Sequence, residues 1–303
     1  MNKQNHFLWV MVIAAVFFWG SNFNAIAALD SGLPAIISSL IRFVIASVVL
    51  VALFPFVKPG ITLSGRDYVA LSGLGFVGIF CFNYAIFAGM KETSPVNGAL
   101  IMASMPLVSV LLSKLFLNAK ISSAQYMGLA LGLFGVFLVI TKGNYTTLKY
   151  NAGDLWIVFA CFCGGLYAVL TKKFISHIPS SQATRWTISL GTVFMFLVSF
   201  LQGEIHYDYS SISLSSYALL SYMGLLGTVV AYYFWVKGCQ VLGPERISVT
   251  TNLIPLFTLV ISFILGQNIE PVQLIGTAII LLGVLFGSGY MNQFHPSSSS
   301  TAG

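Results

Sequence analysis

Apolar residues in this chain fall in ten long runs separated by short polar spacers. The runs cover about 7–29, 34–57, 67–88, 95–117, 123–141, 153–174, 180–202, 214–236, 246–266 and 271–290. Asp30-Ser31-Gly32, Lys58-Pro59-Gly60 and the segment from Asn144 to Asn151 are typical spacers. A hydrocarbon core about 30 Å thick needs roughly 20 apolar residues in a helix, so the pattern predicts an all-α integral membrane protein of ten transmembrane helices. The first run exceeds the roughly 7–15-residue apolar core of a signal peptide, and no small-residue cleavage site follows before the second run. It is therefore read as a retained helix. The tail from Phe294, with Ser297 to Ser300, is polar and low in complexity and is expected to be disordered.

The runs also repeat. At an offset of 149 residues Tyr68, Leu71, Ser72, Gly75, Gly78, Tyr84 and Gly89 meet Tyr217, Leu220, Ser221, Gly224, Gly227, Tyr233 and Gly238. Pro95, Pro106 and Leu107 then meet Pro244, Pro255 and Leu256. At an offset of 148 Gly128 and Gly135 meet Gly276 and Gly283, and at 145 Gly20 meets Gly165. This divides the chain into a first repeat over 1–144, a second over 145–291 and a tail over 292–303. Five helices per repeat is an odd number, so the second repeat enters the membrane from the opposite side. Inverted repeats of this kind place a substrate site near the midplane between them.

Composition agrees with the pattern. The 303 residues are 57% hydrophobic and 7% charged, against about 25% charged in soluble domains. The placement of the charges orients the chain. The N-terminal side receives Lys3, Lys58, Arg66, Lys114, Lys120, Lys172, Lys173, Lys237 and Arg246, the other side Lys91, Lys142 and Lys149. This bias puts both termini in the cytoplasm. No basic run with interleaved aromatics suggests nucleic acid. Cys81, Cys161, Cys163 and Cys239 lie in or beside apolar runs without metal-ligand spacing, so no metal or cofactor is expected.

Within the runs, Arg42 stands out. It lies eight residues past Pro34, roughly 12 Å into a helix at 1.5 Å per residue. Such burial costs about 2.5–3.5 kcal/mol on insertion scales. One reading is a cavity cation for a substrate carboxylate or phosphate; the other is an arginine that snorkels or binds carbonyls. Arg185 enters nearer the cytoplasmic side and is read as snorkelling. No Asp or Glu lies well inside a run. Trp19, Asn22, Asn83, Tyr84, Asn97, Tyr167, Trp186, Tyr232 and Tyr233 are candidates for a cavity of ring faces and amides, set against interhelical bonding and the interfacial belt. Pro106 and Pro255 are candidate paired hinges. The glycines of Gly128-x-x-x-Gly132 and Gly283-x-x-x-Gly287 suit close contact between the halves or a homodimer.

Taken in order, Trp19-Gly20-Ser21-Asn22-Phe23, Ile41-Arg42-Phe43, Met105-Pro106-Leu107 and Ile254-Pro255-Leu256 resemble the EamA-type transporters of the drug/metabolite transporter superfamily, as do Gln125 before Gly128 and Gln273 before Gly276. The resemblance covers about 8–290. It implies a central cavity lined by helices one to four and six to nine, with five and ten at the periphery. It also implies export of amino acids, other metabolites or drugs across the bacterial inner membrane. Both halves of the family usually carry a Glu after the Pro-containing helix, where this chain has Ala119 and Gln267. The expectation is a secondary transporter, an exporter of amino acids or related small metabolites, working in a lipid bilayer by alternating access. The rivals are a membrane-embedded enzyme and a non-transporting structural or sensory protein. Against the enzyme, there is no G-x-x-x-x-G-K-[ST] loop, and His6, His177, His206 and His295 lie outside the runs.

Overall fold

The computed structural model describes residues 3–53, 60–118, 123–141, 151–242 and 249–287. Ten helical segments follow one another. They are α1 (Lys3–Ala27), α2 (Ala35–Ala52), α3 (Gly65–Gly89), α4 (Pro95–Leu117), α5 (Ser123–Thr141), α6 (Ala152–Phe174), α7 (Ser180–Leu201), α8 (214–242), α9 (249–264) and α10 (Pro271–Gly287). No strand occurs among the described residues. Among the described residues, seven helices are long and apolar enough to cross a membrane, and the described parts of α5, α9 and α10 hold shorter apolar helices. Large apolar side chains point outward, among them Val44, Val48 and Val51 on α2 and Phe196 and Phe200 on α7. In water that surface would be unstable; lipid is its natural solvent.

The spacers start the helices by ordinary capping chemistry. Ser64 and Asp67 form a capping box at α3, each side chain bonding the other's backbone N–H. The side chain of Ser94 caps α4 just before Pro95, Asn151 caps α6 and Ser213 caps the start of α8. Pro34 and Pro179 stand immediately before α2 and α7.

Four helices are irregular, in two matched pairs. α3 passes through a π-helical stretch at Gly75–Cys81 and α8 through one at Leu225–Val230. α4 is interrupted at Ala103 and Ser104, and the described part of α9 has a 3-10 turn over Val249–Asn252 before Leu253–Ile264. Pro106 and Pro255 follow these breaks closely. Each lacks the N–H that would reach the carbonyl four residues back, which is why regular helix fails there. The sequence anticipates the prolines but not the π segments.

Packing is reciprocal. In lipid, helices associate through close van der Waals contact, which small residues permit. A Cβ on Gly20 of α1 would stand 2.9 Å from Ile254 O and from Phe257 Cβ of α9, while one on Gly165 of α6 would meet Val108 and the Ser109 backbone of α4. A Cβ on Gly75 of α3 would meet Thr187 O at 2.9 Å and Leu190 of α7; one on Gly224 of α8 would meet Arg42 O at 2.9 Å and Ile45 of α2. Gly78 faces Tyr167, and Gly227 faces Asn22. The offsets of 149 and 145 convert each contact into its twin. The α5–α10 pair is self-reciprocal: a Cβ on Gly283 would lie 2.7 Å from Gly128 O, and one on Gly135 2.9 Å from Gly276 O. Gly128, Gly132 and Gly283 of the GxxxG pattern thus join the two halves within one chain.

Candidate functional site

A cavity of about 200 Å³ lies between α1, α2, α3, α4, α8 and α9. α1 contributes Trp19, Asn22, Phe23 and Ile26, and α2 contributes Arg42 and Phe43. Opposite them stand Phe82, Asn83 and Ile86 of α3 and Met102, Ala103 and Met105 of α4, with Tyr232 of α8 and Thr251 and Ile254 of α9 completing the wall. The wall is mainly apolar with a few polar groups, as in small-molecule sites generally.

Arg42 is the charged group in this wall, and its side chain is buried. Its Nε donates to Thr228 Oγ1 at 3.2 Å. Thr228 is itself held because its hydroxyl donates to Met223 O at 3.0 Å, a link over five residues that the π segment of α8 makes possible. The hydroxyl therefore donates once and accepts once. A guanidinium carries five N–H donors, and Nε uses one. No ion pair among the described residues involves Arg42.

Asn22 also lines the cavity. Its Oδ1 is turned against Gly227 of α8, buried and without a hydrogen-bond partner, and an unpaired buried acceptor costs about 1–3 kcal/mol. Trp19 donates from Nε1 to Gly227 O at 3.1 Å, which fixes its ring against those of Tyr232 and Trp235. Asn83 donates from Nδ2 to Ile79 O at 2.9 Å, leaving its own oxygen available as an acceptor.

The family model described as the EamA-like transporter family matches the chain twice, over residues 7–141 and 151–288. The chain belongs to the EamA-like transporter family. Among its relatives, Uncharacterized transporter YyaM of Bacillus subtilis is 32% identical over 287 residues, covering 93% of each chain. A Probable terminal-alkyne amino-acid exporter of Streptantibioticus cattleyicolor is 26% identical over 287 residues, again 93% of each. A solved crystal structure matches with a TM-score of 0.65 and 18% identity over 93% of this chain and 98% of that one, which shows a shared fold. The chain is thus a multi-pass membrane transporter.

Within this EamA-like frame the remaining candidates from the sequence lie outside the cavity wall. Tyr84 sits between Phe80 and Trp156, with ring centroids 6.0 and 5.8 Å away. Asn97 accepts from Gln273 Nε2 at 2.5 Å, tying the start of α4 to the start of α10. Tyr167 fills the space beside Gly78. Trp186 stands edge-on to Tyr68 at 5.2 Å. Tyr233 is 58% exposed, with Lys237 Nζ 5.9 Å from its ring centre. Arg185, on α7, is only partly buried. Ala119 is outside the described residues; Gln267 closes the end of α9, its N–H donating to Ser262 O at 2.9 Å. The sequence did not mark Phe82 or Met102 as wall residues, nor Thr228 behind Arg42, and Met105 stood out only within the Met105-Pro106-Leu107 motif. For Thr228 a signal existed, since it follows the repeat-matched Gly227 directly. Among the described residues no three His, Cys, Asp or Glu side chains cluster as metal ligands.

Proposed function

We propose that the protein is a secondary transporter exporting amino acids or related small amphipathic metabolites across the cell inner membrane by alternating access, with both termini in the cytoplasm. One observation carries the reading. A buried guanidinium without a carboxylate partner lines a small apolar cavity, with Asn83 on the opposite wall. A zwitterion brings what the site lacks: a carboxylate for Arg42 and an ammonium for the Asn83 oxygen. Charge-assisted hydrogen bonds of this kind are the strong ones. Apolar parts of the solute would lie against Phe23, Ile26, Phe82 and Met102. The name of the Streptantibioticus cattleyicolor relative supports an amino-acid cargo, and the cytoplasmic excess of Lys and Arg supports the orientation. Pro106 and Pro255, beside the breaks in α4 and α9, serve as hinges.

The test is efflux from proteoliposomes loaded with a mixed pool of amino acids and other small anions, read by mass spectrometry against protein-free vesicles. Wild type is expected to release zwitterionic amino acids selectively, and Arg42→Ala to lose at least about tenfold in rate, the effect of one charge-assisted contact. Selective flux that Arg42→Ala leaves unchanged would sink the role given to Arg42.

A further inference from the structure

The repeats are continuous in sequence, but the close packing joins helices in a different grouping. Among the described residues, every helix–helix contact in which a glycine meets backbone across the two repeats, the α5–α10 pair aside, falls inside one of two sets. Gly20 joins α1 to α9, and Gly224 joins α8 to α2; Gly75 joins α3 to α7, and Gly165 joins α6 to α4.

Side-chain hydrogen bonds follow the same division. In the first set, Trp19 bonds Gly227 O, Asn24 Nδ2 bonds Thr258 O at 3.2 Å, and Ser262 Oγ bonds Asn24 Oδ1 at 2.7 Å. Arg42 bonds Thr228, and Asp30 accepts from both the N–H and the hydroxyl of Ser213 at 2.9 Å. In the second set, His177 bonds Asp67 at 2.9 Å, Thr93 bonds Asp154, and Cys161 Sγ bonds Ile101 O at 3.3 Å.

Between α2 and α7, which pack against each other although one belongs to each set, the side-chain hydrogen bond is Ser47 Oγ to Thr192 Oγ1 at 2.8 Å, with Thr192 also reaching Phe43 O at 3.3 Å. Ser47 and Thr192 are separated by 145, the offset that relates Gly20 to Gly165. They are therefore twins of each other, and their contact lies on the pseudo-two-fold axis.

We infer that the bodies that move in transport are two composite bundles, α1-α2-α8-α9 and α3-α4-α6-α7, each drawing two helices from each repeat, and that they pivot at Ser47–Thr192. This rests on the transporter reading above. The cavity lies between the two bundles, with Arg42, Asn22 and Tyr232 on one and Asn83, Met102 and Met105 on the other. Rotation about the axis leaves the Ser47–Thr192 contact in place while the walls of the cavity separate. The Asp30–Ser213 and Asp67–His177 links stay closed throughout, although each crosses from one sequence repeat to the other.

Rigid repeats would require those two links to break, and this separates the alternatives. The experiment is a double substitution, Asp30→Cys with Ser213→Cys, oxidised to a disulfide in proteoliposomes and compared with its own reduced form, with each single variant as the control for native cysteines. Composite bundles predict efflux within about twofold of the reduced form, because the cross-link lies inside a rigid body. A fall of about tenfold or more at near-complete cross-linking would overturn the proposal.

Should the reduced double variant not transport, nitroxide labels at exposed Gly32, Ser215 and Lys91 decide the matter by distance. Gly32 to Ser215 is expected to give one distance with or without an amino-acid gradient, and Gly32 to Lys91 a distance that shifts. The reverse pattern would reject the composite bundles. Absence of efflux from wild type would instead fail the transporter reading, which keeps the two failures apart.

Discussion

Two corners of this molecule share a scaffold and differ in chemistry. At one, α2 meets α8: a Cβ on Gly224 would touch Arg42 O, and the Arg42 side chain reaches Thr228. At its twin, α7 meets α3: a Cβ on Gly75 would touch Thr187 O, and Ile79 stands where Thr228 stands in the first. Backbone approach is the same to within a few tenths of an ångström. The charge is present only once. Thr187 answers its own helix instead, its hydroxyl donating to Ala183 O at 3.0 Å. Duplication therefore built the frame, and the cavity chemistry belongs to one side of it.

Breaking the frame should have the largest effect, and it should be equal at the two corners. Gly224→Leu and Gly75→Leu each force a side chain onto a carbonyl that is backbone and cannot yield. Overpacking of this kind costs about 1–3 kcal/mol or more, and both variants are expected to lose most folded protein by size-exclusion chromatography. Gly73→Leu, with nothing near its Cβ, is expected to keep it. Good yield from only one of the pair would show that the frame is not symmetric in energy.

Thr228→Ile makes the working corner a copy of its twin. The fold should survive, since Ile79 is accommodated in the equivalent π segment. Arg42 loses the acceptor that positions it, and the half-saturating substrate concentration should rise about tenfold, the worth of one hydrogen bond to a charge. An unchanged value in the efflux assay would mean that Thr228 does not position the guanidinium.

Asn22→Leu should separate stability from function. Removing an unpaired buried acceptor relieves part of a cost of about 1–3 kcal/mol, so the thermal midpoint is expected to rise by a few degrees, while loss of the Asn22 amide N–H from the cavity wall lowers amino-acid affinity about tenfold. A lower midpoint would show that the oxygen has a structural partner. The smallest effect is outside the membrane. The Asp30 carboxyl is held below the usual carboxylate range by the Ser213 N–H and hydroxyl, with Ser216 contributing less. A folded-state pKa depressed in this way gives stability that is present above the unfolded value, near 3.9, and is lost as pH falls through the folded value. Thermal midpoints of wild type and Asp30→Asn should differ slightly at neutral pH and converge in acid. Parallel curves would remove Asp30 from the acid response.

The sequence made the frame legible and the wall of the cavity only half so. Gly20, Gly75, Gly78 and Gly128, picked out by their offsets, turn out to be contact residues, because an offset shared by glycines reports shared geometry. Arg42 was legible because a charge inside an apolar run demands a reason. The aromatic and amide candidates divided: Trp19, Asn22, Asn83 and Tyr232 line the cavity, whereas Tyr84, Asn97, Tyr167, Trp186 and Tyr233 do not. A helix apolar on all sides gives no periodic signal of which face points inward, so rotation about its axis cannot be read. The π segments were hidden for a related reason, since they shift that rotation part-way along α3 and α8.

The long reach of the hydrogen bonds of α1 and α2 sets a timetable for biosynthesis. Trp19 waits 208 residues for Gly227, Asn24 waits 234 for Thr258, and Arg42 waits 186 for Thr228. At a synthesis rate of about 5–20 residues per second, the first two helices spend on the order of ten seconds or more in the membrane with a guanidinium, an indole N–H and an amide unanswered. During that interval the nascent chain is most open to alternative partners, whether lipid headgroups, water or the insertion machinery. Truncations that end before α8 should therefore be cleared as misfolded membrane protein, even though they contain an entire repeat.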